Sequence, residues 1–216
     1  MADQLEILFE DENVVAVNKQ EGLTSITEND TKIDSLHSLL EKRCGQKLFI
    51  VHRLDKEVSG VILFAKNSDS HKYLNDQFAD RKVKKYYTAV VHGIIKEDDG
   101  VIKKPIREFG SGRMGVDDRK GKPSETKFRV IQRFRDYTLL ELNPSTGRRH
   151  QLRVHLYSIG FPIVGDLRYG DKTIQEKYSR IMLHAKRLEF QLPGEKDVSV
   201  EAPLTESFLE ILKQMP

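Results

Sequence analysis

The chain has 216 residues, 38% of them hydrophobic and 32% charged, which is enough for a well-buried core and reads as soluble and globular rather than disordered. Its one cysteine, Cys44, excludes an internal disulfide and a thiolate zinc cluster; the start Met-Ala-Asp-Gln is no secretory leader, no stretch is apolar over membrane-spanning length, and a cytoplasmic protein is expected. The net charge of +3 hides an asymmetry, −5 on residues 1–12 and −3 on 193–216 leaving +11 on 13–192, which suits a polyanionic partner but, taken alone, also fits solvated faces.

Asn13–Asn18, with its Val-Val-Ala-Val run, predicts a buried strand. Asp34–Cys44 predicts a helix with Leu36, Leu39 and Leu40 on one face and Asp34 as its N-cap. A short strand over Val61–Ala65 follows, then a helix over Ser68–Ala79 with Leu74 and Phe78 four apart, then a β-rich segment, Tyr86–His92, ended by Gly93. Residues 99–123 are rich in Gly, Lys, Arg and Asp, include Gly110-Ser111-Gly112, and predict a long turn or exposed hairpin. Thr126–Phe134 alternates Phe128, Val130 and Gln132 against Lys127, Arg129 and Arg133, the pattern of a half-exposed strand. Asp136 and Tyr137 turn into a strand over Thr138–Leu142, which Pro144-Ser-Thr-Gly147 ends. Gln151–Ile159 predicts a helix with Leu152, Leu156 and Ile159 as its buried stripe, and Ile181–Phe190 a strand. A last helix, from about Thr205 to Gln214, turns Phe208, Leu209 and Leu212 inward. Strands outnumber helices and hairpin-length turns join several, so the fold class is α+β, a mixed, largely antiparallel sheet with flanking helices. No linker-like stretch interrupts the chain, which reads as a single domain over 1–216.

The segment His52-Arg53-Leu54-Asp55-Lys56-Glu57-Val58-Ser59-Gly60 sets an acid between two cations at the mouth of a strand. By itself it also reads as a surface loop with a salt bridge. Basic residues cluster at Arg81-Lys82-Val83-Lys84-Lys85, at Arg119-Lys120-Gly121-Lys122, and at Arg148-Arg149 with Arg153. Four histidines, His52, His150, His155 and His184, invite a metal reading. But His150 and His155 are five apart, a poor helical pair, and no acid or cysteine completes a set, so no metal site is assigned.

The His52–Asp55 segment resembles the His-Arg-Leu-Asp motif of the RluA-type pseudouridine synthases, and other blocks follow in order. Leu8 through Lys19 with Gly22-Leu23 is similar to the family's first strand, and Lys85-Tyr86-Tyr87-Thr-Ala89 with Gly93 to its tyrosine motif. Gly121-Lys122-Pro123 with Thr126 matches a further short motif, and Thr146-Gly147-Arg148-Arg149-His150-Gln151-Leu152-Arg153-Val154-His155 the arginine motif. Gly160-Phe-Pro162-Ile-Val-Gly165-Asp166, Tyr169-Gly170 and Leu183-His184-Ala185 complete a series running from about residue 5 to 190. Gln20 stands where the family usually has proline, Glu57-Val58 where an Asp-Thr pair is common, and Arg149 where threonine is frequent. The resemblance also implies the short form of the family, without a preceding S4 RNA-binding domain.

What the resemblance implies is isomerisation of uridine to pseudouridine in transfer or ribosomal RNA, by a flipped base and an aspartate-dependent cleavage of the glycosidic bond. The C1′–N1 bond breaks, the uracil turns over and C1′ joins C5. No group is gained or lost, so no cofactor or metal is expected. The step needs a carboxylate beside the ribose, as nucleophile or as base on the sugar, and the resemblance assigns it to Asp55. A buried carboxylate drifts toward its neutral form unless a cation holds it ionised; by resemblance that cation is Arg153. Tyr87 is the implied platform for the extruded uracil, its hydroxyl an implied participant in removing the C5 proton, while Tyr86 points to the other face of the strand. Leu152 is a family-like apolar wall, and Arg53 resembles the position that fills the gap left by the base. His52, Arg148, Lys84 and Lys85 complete the expected RNA-binding set, with His52 also expected to orient the Asp55 loop. RNA is the implied partner, with no membrane and no obligate protein partner. A kinase-like reading fails because the leucine breaks the His-Arg-Asp spacing and no Asp-Phe-Gly or Gly-rich loop is present. A non-catalytic RNA-binding protein of the same fold is the remaining alternative, set against the presence of Asp55, Tyr87 and Arg153 together.

Overall fold

The computed structural model of the protein describes residues 5–27, 34–110 and 112–216; Asp3 of the acidic N-terminus and Ser111 of the Gly-rich turn lie outside them. In chain order the elements are β1 (Glu6–Glu10), β2 (Val14–Lys19), α1 (Leu36–Cys44), β3 (Phe49–Ile50), β4 (Ser59–Ala65), α2 (Ser68–Ala79), β5 (Lys84–His92), β6 (Asp99–Lys103), β7 (Ile106–Glu108), β8 (Met114–Val116), β9 (Glu125–Arg133), β10 (Tyr137–Pro144), α3 (Gln151–Ser158), α4 (Lys172–Gln175), β11 (Leu183–Leu192), β12 (Lys196–Glu201) and α5 (Glu206–Lys213). The sheet is mixed with mostly antiparallel strands, and helices flank it. The chain packs as two compact units, each discontinuous in sequence: residues 1–85 with 185–205, and residues 86–184 with 206–216.

In the first unit the strand order is β1-β2-β4-β11, with β12 on β11 and β3 on β4. Every residue of β2 and of β4 is buried, and this is why Val14–Val17 and Val61–Ala65 are continuous apolar runs rather than alternating ones. Gly60 is required where β4 meets β11: its φ is +115°, and a Cβ there would lie 2.6 Å from the Ala185 nitrogen, closer still to its carbonyl oxygen. Helix α1 buries Leu36, Leu39 and Leu40 as expected. Its N-cap, however, is Ser35 rather than Asp34: the Ser35 hydroxyl accepts from the Ser38 amide at 3.2 Å in a capping box. Asp34, one residue too early to cap, instead takes Lys42 at 2.8 Å. Helix α2 is capped by Asn67, whose Oδ1 accepts from the Ser70 amide. It reaches β11 through Gln77, which exchanges two hydrogen bonds with the backbone of Gln191.

The second unit holds an antiparallel run in the order β5-β10-β9-β6 and a separate hairpin, β7-β8. Residues 99–123 are therefore only partly the exposed hairpin expected, since β6 joins the sheet against β9 and Ile102, Ile106 and Met114 are buried. The alternation expected in β9 holds as far as Val130 and ends at a register shift opposite Leu139 and Leu140. Strand β10 begins at Tyr137, which was expected in the turn, and runs on to Pro144. Helix α3 carries no single stripe; Gln151 through Leu156 are all buried, because the helix is enclosed by its surroundings rather than laid on a surface. In α5 Phe208 is buried, but Leu209 faces solvent, against expectation. No helix among the described residues is long and apolar enough to cross a membrane.

Candidate active site

Asp55 sits half-buried in a loop between β3 and β4, within the first unit, and the loop is tied down on both sides. The Ser25 hydroxyl donates to the Leu54 carbonyl at 2.7 Å and accepts from the Leu54 amide at 3.1 Å. The Gly22 amide donates to the Lys56 carbonyl at 2.9 Å, and the Val58 amide to the Asp55 carbonyl at 3.1 Å. Lys19, fully buried at the end of β2, brings its ammonium to the carbonyls of Gln20, Leu23 and Lys56 at 3.0, 2.8 and 3.0 Å. A buried ammonium is tolerated only when such acceptors replace its water. These contacts join the segment after β2 to the residues flanking Asp55.

His52 is fixed from the other side. Its Nε2 accepts from the Leu63 amide at 3.0 Å, and its ring stacks on Phe78 with centroids 5.0 Å apart. Burial, reinforced by the charge of Lys85, pushes its pKa down to about 3, and an Nε2 that accepts from an amide cannot carry a proton. One face and one nitrogen of this RNA-binding candidate are thus committed to the protein. Arg53 is exposed. Lys84 lies 3.4 Å from Glu189, and burial, then the charge of Arg81, lowers the pKa of Lys85 to about 8.

Tyr87, Arg148, Leu152 and Arg153 all lie in the second unit. Tyr87 pairs with Leu142 across β5 and β10. Gln151 fixes the start of α3: its Oε1 accepts from the Thr146 hydroxyl at 2.7 Å and the Arg148 amide at 3.0 Å, and its Nε2 donates to the Glu125 carbonyl at 2.9 Å. Arg153, in the first turn of this anchored helix, is buried. Its Nε and one terminal nitrogen each donate to Asp166 at 2.8 Å, a two-point grip. Asp166, 1% exposed, also accepts from the amides of Arg168 and Tyr169. The guanidinium therefore has a fixed plane before any substrate arrives. Arg148 is half-buried, and its Nε has no hydrogen-bond partner among the described residues. His155 is structural, between Thr126 and the Lys104 carbonyl, with its pKa lowered chiefly by burial. Among the described residues no group of three or more His, Cys, Asp or Glu could hold a metal ion.

Three supporting residues escaped sequence reasoning. Lys19 and Asp166 stood inside recognised blocks but carried no stated role; a buried lysine after an apolar strand, and an acid matched to a buried arginine, are the signals that could have found them. Ser25 offers no local signal at all.

The arrangement compares closely with known proteins. A family model described as RNA pseudouridylate synthase matches residues 13–158. The RNA pseudouridine synthase YlyB of Bacillus subtilis is 39% identical, over 98% of this chain and 73% of its own length. Ribosomal large subunit pseudouridine synthase C of Vibrio vulnificus is 34% identical, over 97% of this chain and 69% of its own. Among solved structures, human RNA Pseudouridylate Synthase Domain Containing 1 superposes with a TM-score of 0.83 at 28% identity, covering 100% of this chain and 97% of that one.

Proposed function

The chain belongs to the RNA pseudouridylate synthase family and isomerises uridine to pseudouridine in RNA, and on that premise we propose that Asp55 is its catalytic carboxylate. The observation that carries the assignment is the immobilised loop: Ser25, Gly22 and Lys19 hold the residues on either side of Asp55. A group held in place before substrate binds contributes more to the transition state than one that must be ordered at the moment of reaction. In the reaction the C1′–N1 bond breaks, C1′ joins C5, a proton leaves C5 and another ends on N1. Asp55 acts at the sugar, Arg153 keeps the carboxylate ionised, and Tyr87 supplies the face on which the extruded uracil stacks. Leu152 forms an apolar wall. Arg53 fills the stack where the base has left, and Arg148, Lys84, Lys85 and His52 belong to the RNA-facing set. The substrate is a structured ribosomal or transfer RNA, met in the cytoplasm.

The test is Asp55→Asn. The variant is expected to bind RNA and make no pseudouridine; a normal rate of isomerisation would remove Asp55 from the reaction. Mapping pseudouridine in total RNA from cells with and without the gene then identifies the uridine concerned.

A further inference from the structure

Against the β7-β8 hairpin lies an open cavity of about 470 Å³, lined by none of the residues assigned to the isomerisation. Its lining includes Phe109, Arg113 and Gly115 of the hairpin, Tyr157 of α3, and Tyr169. The size is that of a small-ligand site. Phe109 and Tyr157 are large rings left 38% and 48% exposed, whereas the other Phe and Tyr rings are buried or half-buried.

Both rings are held in place. The Phe109 ring is set against β8, where a Cβ at Gly115 would come within 2.8 Å of one of its atoms. The Arg107 guanidinium covers its ring at 4.4 Å, and Arg107 is itself held by Asp117 at 3.0 Å. The hairpin is joined to α3 through Tyr169, whose hydroxyl accepts from the Met114 amide at 3.2 Å and meets His150 Nδ1 at 2.8 Å. Arg168 ties the hairpin tip through the Gly112 carbonyl at 2.8 Å. Arg113 stands over Tyr169 at 5.3 Å and near Tyr157 at 6.0 Å. Fixed aromatic faces rimmed by guanidinium groups are what an unstacked base and its phosphate require.

We propose that this cavity takes a nucleobase of the substrate RNA other than the uridine being isomerised, stacked against Phe109 and Tyr157 with its phosphate toward Arg113. The inference rests on the chain acting on RNA. The cavity thereby selects RNA by requiring a second unpaired base at a set distance from the target.

The test compares wild type with the double variant Phe109→Ala, Tyr157→Ala on total RNA extracted from cells lacking the gene. Each lost stacking face is expected to raise KM, by about 10-fold or more for the pair, with kcat within about 2-fold of wild type. The ring-conserving pair Phe109→Tyr, Tyr157→Phe should restore wild-type KM, which separates stacking from loss of fold. A wild-type KM in the alanine variant, or a fall confined to kcat, overturns the cavity assignment while leaving the isomerase reading intact. Absence of pseudouridine with the wild-type protein would instead strike at the reading on which the cavity rests. Irradiation of the complex with 4-thiouridine-substituted RNA should give crosslinks on the 106–116 and 151–158 peptides, and their absence would count against a base in the cavity.

Discussion

Replacing Asp166 by Asn removes one charge and almost no volume, at a site where the arithmetic is clear. Asp166 receives two hydrogen bonds from Arg153 at 2.8 Å and two from backbone amides at 3.0 and 3.2 Å, with its side chain fully buried and that of Arg153 5% exposed. An asparagine keeps one acceptor but turns an N–H toward a guanidinium that can only donate. The buried cation then loses the carboxylate that grips it at two points, which costs about 3 kcal/mol. In a chain of this length such a loss lowers Tm by roughly 6–12 °C. Thermal melting should show the shift, and pseudouridine formation should fall with it because the arginine loses its fixed plane. Adding Arg153→Met removes the charge that Asp166 had balanced and should recover part of the stability but none of the activity. An Asp166→Asn protein melting within about 1 °C of wild type would refute the claim that Asp166 holds the buried Arg153 in place.

Other outcomes follow from the first unit. Lys19→Met strips three carbonyls of their donor; it should cost about 2 kcal/mol and reduce the isomerisation rate more than RNA affinity, and an unchanged rate would deny that Lys19 positions the Asp55 loop. Gly60→Ala must move the Ala185 backbone away from β4, so soluble expression should collapse; a well-folded alanine variant would contradict the close approach. His52 ordinarily binds a proton near pH 6.5 but when folded only near 3. Between those values the unfolded chain holds the extra proton, so stability falls as pH drops, at up to about 1.4 kcal/mol per pH unit. His52→Asn, which can still accept from Leu63, should flatten that slope by about one proton between pH 6 and 4 in urea titrations; equal slopes would show that the imidazole titrates freely in the folded state.

The strands buried on both faces were legible because continuous apolar runs have one easy interpretation, and β2 and β4 met it. Helix ends were less so. Asp34 and Ser35 both have capping side chains, and only the backbone at Ser35, with its φ of −89° and ψ of 165°, decided between them. Helix α3 misled for a different reason. Its apolar positions mark a stripe, but Gln151, Arg153 and His155 are buried as well because Thr126, Glu125, Asp166 and the Lys104 carbonyl receive them. Such partners lie between 13 and 51 residues away, beyond the reach of any periodicity argument.

The residues proposed for the chemistry, Asp55, Tyr87 and Arg153, and the order of the blocks that carry them are properties of the sequence alone, because a reaction demands particular functional groups and local motifs record them. What tertiary structure decided is how those groups are held: Ser25 and Lys19 around the Asp55 loop, Asp166 on Arg153, Leu63 and Phe78 on His52, and the rings beside the hairpin cavity. Support of this kind depends on distances between segments remote in the chain, and a desolvated hydrogen bond or ion pair acquires its strength only once packing has excluded water around it.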